Sequence, residues 1–288
     1  EPNGKVFPAD DSARSVLGAL VRALEQNGIA ILAGYRCGDL TPAEDGRWIV
    51  STSSPEGIAN PPMPARRVIV GTGGLSFPKS GSDGEGLALL ARLGHSIVTP
   101  VPALTPLVLS SRYHAELAGI ATPVALSYCE DESLVTRCVG PMLWTHFGLS
   151  GPAALDVSGP WARARVDRPA VRRAVFCNFC PEESAESIEA RWIALASRQA
   201  SATLRSLLPD LPRRLLDAIS AESLVDPAHP LAQTKKDDRR RALAMLTRFP
   251  LPVVSVLGFD KAEVTSGGVP LEELDPRLES RVRPGLHL

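Results

Sequence analysis

The stretch VIVGTGGLSFPKSGSDGEG, residues 68–86, constrains the fold of this chain more than any other. Three apolar residues, Val68, Ile69 and Val70, run into sixteen residues of which six are glycine. A strand that opens into such a stretch often cradles a phosphate, because glycines let backbone amides approach the ligand. Two phosphate templates fail here. The Walker A spacing places Pro78-Lys79-Ser80 after Gly73 and four residues. Proline stands where that loop needs glycine; it has no N–H, and its φ is fixed. The dinucleotide pattern G-x-G-x-x-G/A is approached by Gly71-Thr72-Gly73-Gly74-Leu75-Ser76. That pattern requires a helix to start at once, and Pro78 and Gly81 delay any helix to about Asp83. What remains is a loop for close approach to a flat or charged ligand, with Ser82 or Asp83 capping the helix that follows. A tight structural crossover without a ligand explains the same glycines. Spacing alone leaves both readings open.

The rest of the chain divides by pattern. In residues 1–104, SARSVLGALVRALEQNG reads as an amphipathic helix, with Val16, Leu17, Leu20, Val21 and Leu24 on one stripe and Gly28 as its stop. IAILAGYRC reads as a strand ending at Cys37, TPAEDGRWIVSTSSPEG as a hairpin region, ARRVIVGT as a buried strand, and GLALLARLG as a helix closed by Gly94. This alternation predicts an α/β layer. Residues 105–181 carry short strand-like runs (LVLSS, TPVALSY, SLVTRCVG, AVFCNF) and predict a small antiparallel barrel or sandwich. Residues 182–248 predict helices, and residues 249–288 return to strand and turn.

Charge and cysteine usage set the outer limits. Thirty-one basic and 32 acidic residues leave a net charge of −1, so no global field attracts nucleic acid or an anionic membrane. The run KKDDRRR, residues 235–241, reads as a solvated helix face. Five cysteines, an odd number, argue against a disulfide framework and for a reducing compartment. No apolar run approaches ~18 residues; the late stretch 242–259 is broken by Arg248, Pro250 and Pro252. A cytoplasmic protein with no membrane and no nucleic-acid partner is the expectation.

Several motifs together resemble the HI0933-like, or BaiN-like, FAD-binding flavoproteins, also described as aminoacetone-oxidase-type. Gly71-Thr72-Gly73-Gly74, Ser76, Pro78, Ser80-Gly81-Ser82-Asp83-Gly84-Glu85-Gly86 and Leu93-Gly94-His95 follow that family's glycine-rich segment. KVFPADDSARSVLGAL, GPMLWTHFGLSGPAALDVSG and KAEVTSGGVPLEELDPRLESRVRPGL follow three more of its segments in the same order. The resemblance implies an α/β fold: a three-layer FAD/NAD(P)-binding domain, here incomplete (1–104 and 259–288), with a β-barrel insert (105–181 and 249–258) and a helical insert (182–248). It implies FAD as cofactor, admits NAD(P)H as electron donor, and implies a small-molecule substrate. Thr72, Gly73 and Gly74 would run along the FAD, Cys37 would meet its adenine side, and the turn at Thr265, Gly267 and Gly268 would pass the flavin ring. Gly71, Ser76, Gly81 and Gly84 complete the expected cofactor-binding set.

The chain departs from that pattern at both ends. The resemblance implies a strand and glycine-rich βα turn ahead of Glu1, and Gly-Glu and Gly-Gly-Tyr-Asn segments after Leu288, and residues 1–288 include neither. The expectation is that this chain, as it stands, binds FAD weakly or not at all. An inactive remnant or a partner-binding module is the alternative to an oxidoreductase. No catalytic side chain is singled out, and no oligomeric state is read. Cys177 and Cys180 form a lone C-x-x-C without the second pair a zinc site requires, so they read as structural and no metal is expected. Of His95, His114, His146, His229 and His287, an acid–base role is open to His95 and His146, with packing the plainer reading. GLSGP at 148–152 is close to a nucleophile elbow, but Pro152 takes the last glycine position, and a hydrolase is set aside.

Overall fold

Ser12 and the stripe of aliphatic residues behind it start α1 (Ala13–Gln26), and Gly28, at φ +66°, stops it. In the computed structural model, residues 6–110 and 113–288 are described, with backbone alone at 113 and 114; the expectations that rest on Glu1, Lys5 and the His114 side chain lie outside them. The chain falls into two units, Glu1–Val68 and Ile69–Leu288.

In the first unit, β1 (Arg36–Pro42) and β2 (Trp48–Ser53) form an antiparallel hairpin, and β3 (Met63–Ala65) adds to β2. Leu40 and Trp48 are its buried anchors. The IAILAGYRC strand is corrected here: the strand begins at Arg36, so Cys37 lies near its start. The ladder explains this, since Arg36 faces Ser53, the last residue of β2. Upstream of Arg36 no described strand is paired, and Ile29 and Ile31 stay exposed. On the stripe of α1, Val16, Leu17 and Leu20 are exposed and Val21 and Leu24 half-buried; no residue of the helix is buried. The expected buried strand ARRVIVGT shrinks to β4 (Val68–Ile69), with Ile69 80% exposed. An apolar run is buried only when layers cover both faces.

The second unit follows in order with α2 (Glu85–Arg92), β5 (Val98–Ala103), β6 (Leu107–Leu109), α3 (Tyr113–Leu117), β7 (Ala121–Glu130), β8 (Ser133–Thr145), β9 (Gly148–Ser150), α4 (Pro152–Asp167), β10 (Arg173–Asn178), α5 (Ala185–Arg198), α6 (Leu204–Leu207), α7 (Arg213–Ser223), α8 (Lys236–Thr247), β11 (Phe249–Leu251), β12 (Val253–Val256), β13 (Val264–Gly268) and β14 (Leu286–His287). Seven strands form one antiparallel sheet in the order β11-β10-β7-β8-β9-β6-β12. Its two edge strands are consecutive in the chain, and only Pro252 separates them. Successive Cα atoms lie ~3.8 Å apart, so the two edges must meet and the sheet curls into a barrel.

The region expected to be wholly antiparallel β also contains α4, a 16-residue helix with Pro160 inside it. Ala153, Ala154, Val157, Ser158, Trp161, Ala162 and Ala164 are buried on it. Small residues at that spacing let the helix lie close to the sheet. The arginines of α4 reach outward to the strands: Arg165 donates to the Val254 carbonyl at 3.1 Å, and Arg168 pairs with the buried Glu130. The helices of 185–247 share the barrel's hydrophobic core through Ile188, Trp192, Leu243 and Leu246. In α8 the KKDDRRR run pairs locally, Arg240 with Asp237 and Arg241 with Asp238, while Arg239 reaches Glu189.

Candidate functional site

The glycine-rich stretch folds as a sequence of tight steps. The Val70 N–H donates to the His287 carbonyl at 2.9 Å, and the chain then turns away through Gly71–Ser76. Pro78–Ser80 makes a single 3₁₀ turn, entered through Phe77 at φ +55° and left through Gly81 at φ +100°. Proline suits that first position, where its missing N–H costs nothing. The N-cap of α2 is Gly84, at φ +87°, and not Ser82 or Asp83 as expected; the Asp83 carboxylate instead accepts the Glu85 N–H at 3.1 Å, two residues on.

Thr265 on β13 ties this loop to the far end of the sequence. Its hydroxyl oxygen accepts the N–H groups of Leu75, at 2.8 Å, and Ser76, at 2.9 Å, and its proton points to the Ser76 hydroxyl at 3.1 Å. A hydroxyl has one donor and two acceptor sites, so Thr265 Oγ1 is fully used within the protein. Gly74 lies flat against the same residue: a Cβ there would come within 2.5 Å of Thr265 Oγ1. Gly73 takes φ +69°, and a Cβ on it would stand 2.7 Å from Ser82 Oγ.

The other wall is the ladder between β5 and β13. Its register shifts between Ser266 and Gly268, and both Gly267 and Gly268 sit at φ +115°, where a side chain is strained. A Cβ on Gly267 would press on the Val98 and Thr99 carbonyls at 2.8 and 2.9 Å. Between loop and turn lies a cleft of ≈ 480 Å³, within the usual range for small-molecule sites. Its lining takes Thr72, Gly73, Gly74 and Ser76 from the loop, Thr265, Gly267 and Gly268 from β13, and the apolar side chains Leu87, Leu90 and Leu274. Among the described residues, Glu263 is the one ionisable side chain in the lining, which includes no lysine or arginine.

Seven of the expected cofactor residues therefore meet on one cleft from two segments almost 190 residues apart. Gly71, Gly81 and Gly84 are not in its lining; Gly84 instead accommodates Leu75, whose Cδ2 would be 2.6 Å from a Cβ there. Cys37 is exposed on β1 in the other unit. Sequence reading missed Leu87 and Leu90 as apolar lining of the cleft, although their i, i+3 spacing on α2 signals a shared face.

The remaining candidates resolve as structure. His95 is buried, with Nδ1 2.6 Å from Glu273 Oε2 and Nε2 2.9 Å from Ser280 Oγ. The order acid–imidazole–hydroxyl is that of a hydrolytic triad. However, Ser280 is 4% exposed, and its oxygen already accepts the Val282 and Arg283 N–H groups. It is a cap on the 280–283 turn, and His95 pins that turn to the end of α2. Hydrogen bonding from Ser96, and then from His95, lowers the Glu273 pKa. Cys177 and Cys180 are both buried free thiols. Burial raises the pKa of Cys177 and pushes that of Cys180 up to about 11. The His146 ring packs edge-on against Phe147 at 5.0 Å. No cluster of three or more His, Cys, Asp or Glu among the described residues could hold a metal ion, and no described helix is long and apolar enough to cross a membrane.

Comparison with known proteins gives a consistent picture. The family model described as "HI0933-like protein barrel and H2TH domain" matches residues 101–264. A 3-dehydro-bile acid delta(4,6)-reductase of Clostridium scindens is 27% identical over 287 residues, covering 99% of this chain and 68% of that protein. A ribosomal RNA dihydrouridine synthase of Escherichia coli is 28% identical, covering 99% of this chain and 66% of its own length. The ribosomal RNA dihydrouridine synthase of Haemophilus influenzae is 22% identical, with 99% and 67% covered. The chain thus spans about two thirds of the length of each of these relatives.

Proposed function

Since the chain belongs to the HI0933-like family, we propose that it is the barrel-bearing part of a flavin-dependent oxidoreductase, and that its glycine cleft holds part of the flavin. One observation carries the reading: the glycine loop and the Gly267–Gly268 turn face each other across a single cleft and are locked together by Thr265. Gly73, Gly74, Gly267 and Gly268 make much of the lining backbone, which suits a flat ring, and Leu87, Leu90 and Leu274 add apolar surface.

The lining also narrows which part of the cofactor it takes. A pyrophosphate is held by helix N-termini, backbone amides and cations. Among the described residues this cleft is lined by no cationic side chain, and Glu263 would repel a phosphate. We assign it to the uncharged ring end, with the phosphates of FAD held elsewhere. In this reading residues 1–104 and 259–288 belong to one three-layer cofactor-binding domain, residues 105–181 and 249–258 to the barrel, and residues 182–248 to a helical insert. Bound flavin would supply hydride chemistry. The Gly73–Gly74 and Gly267–Gly268 backbone would hold the ring, with Leu87 and Leu90 supplying apolar contact. NAD(P)H is the proposed electron donor.

The relatives' names describe related chemistry. A 4,6-unsaturated 3-keto steroid and the uracil ring both carry a carbon–carbon double bond conjugated to a carbonyl. We propose an enone-like acceptor of that kind for this family member. Two of the relatives act on ribosomal RNA by name, which reopens nucleic acid as a substrate despite the net charge of −1.

The test is a titration of the purified chain with riboflavin and with FAD, followed by flavin fluorescence and the visible absorption band. The expected result is weak binding of both, with riboflavin no weaker than FAD. No spectral change for either would overturn the proposal. Binding of FAD alone would move the phosphate grip into this cleft and overturn the assignment to the ring.

A further inference from the structure

We infer that Arg163 is a positioning residue for the cleft: from α4 it fixes the Gly267–Gly268 turn by holding the two carbonyls that flank the register shift. The inference rests on the cofactor reading for its ligand arm only.

The geometry is direct. Arg163 Nη1 donates to the Thr99 carbonyl on β5 at 2.8 Å, and Nη2 donates to the Ser266 carbonyl on β13 at 2.6 Å. Nη2 also lies 3.4 Å from Ser266 Oγ, and Asp167, one turn along α4 at 3.6 Å, steadies the guanidinium. One planar group therefore bridges the two strands at the point where their pairing slips from Ser266↔Val101 to Gly268↔Val98. The chemistry of β5 explains the need. Its sequence is VTPVPA, so Pro100 and Pro102 bring no N–H to the ladder. A guanidinium carries five donors in a rigid fork and can serve two carbonyls at once. It does so from a side chain that is only 20% exposed, where such bonds are less diluted by water.

Gly267 shows what the fork secures. A Cβ at that position would meet Arg163 Nη2 at 3.0 Å as well as the Val98 and Thr99 carbonyls. The turn is thus packed onto the guanidinium on one side and lines the cleft on the other. Because α4 also packs on the barrel, the position of the turn is set by the barrel's own helix. A ligand in the cleft and the seating of α4 are coupled through Arg163.

The test uses the full chain with Arg163→Ala and Arg163→Lys, read by amide hydrogen exchange and by riboflavin titration. Arg163→Ala is expected to speed exchange at Ser266–Val269 at least ~10-fold (more than about 1.4 kcal/mol of local protection). Exchange across Val124–Tyr128 in β7 should stay unchanged. Arg163→Lys should restore part of the protection, since one ammonium reaches one carbonyl more readily than two. Where the parent chain binds riboflavin, Arg163→Ala should weaken it more than ~5-fold. Unchanged exchange in the turn, equal loosening of turn and barrel, or faster exchange with unaltered riboflavin affinity would each overturn the inference. A parent chain that binds no riboflavin defeats the cofactor reading instead, and the exchange pattern then decides on Arg163 alone.

Discussion

At the scale of single residues, Thr265 shows how a side chain in the lining of the cleft also ties the loop together. Its hydroxyl satisfies two backbone amides of the glycine loop and reaches one side-chain oxygen. Thr265→Val keeps the shape and strands both amides; a loss of about 2 kcal/mol in urea unfolding is expected, with Thr265→Ser near the parent. Gly74→Ala should cost roughly 1–3 kcal/mol, because its methyl would overlap Thr265. Gly71→Ala should be nearly silent in the same measurement, since nothing lies within 4 Å of a Cβ there. The glycine-rich stretch was legible as a special backbone, but sequence could not separate the glycines that make room for a neighbour from those with open space. That distinction depends on β13, some 190 residues away. Thiols give an independent check. Cys37 should react with a maleimide in the folded chain, whereas Cys177 and Cys180 should react only on unfolding, since burial keeps them protonated.

At the scale of elements, hydrophobic period found the helices and strands that have their partners within the described chain, and failed where partners decide. IAIL has the composition of a strand and forms none, because no described strand lies beside it. α4 was missed for the opposite reason: it is buried on small residues, so alanine and serine replace the aliphatic stripe that marks a surface helix. The Glu273–His95–Ser280 chain joins the end of α2 to the 280–283 turn, and only its histidine was noticed in the sequence. Glu273 is held ionised below its ordinary value of 4.5. A carboxylate with a depressed folded pKa lends stability above its unfolded pKa and loses it as pH falls through the folded one. Exchange protection at Ser280–Arg283 should therefore be full at neutral pH and fall selectively below about pH 4.5. Glu273→Gln should show reduced protection at neutral pH and no such acid step. His95→Ala should cost roughly 2–4 kcal/mol in thermal unfolding by leaving a buried hydroxyl without its partner.

At the scale of the whole molecule, pattern predicted a small antiparallel barrel or sandwich and the family resemblance implied the barrel; the family model that matches residues 101–264 is described as a barrel. What composition could not reveal is how the barrel shuts, because closure depends on which edges meet and not on which residues form strands. The sheet ends in β11 and β12, joined through Pro252 alone. A residue so placed should tolerate Ala, whereas inserting several flexible residues after it should loosen the β6–β12 edge first, as hydrogen exchange at Val253–Val256 would report. The same sheet places β10 beside β11, with Cys177 opposite Phe249. The chain thus leaves the barrel at Asn178, builds α5 to α8, and re-enters one strand over. For evolution and for engineering, the helical block is a cassette spliced into a hairpin. Its length can drift, or its helices be exchanged for others, provided the replacement covers the apolar face of Phe249 and leaves the strand order of the barrel untouched.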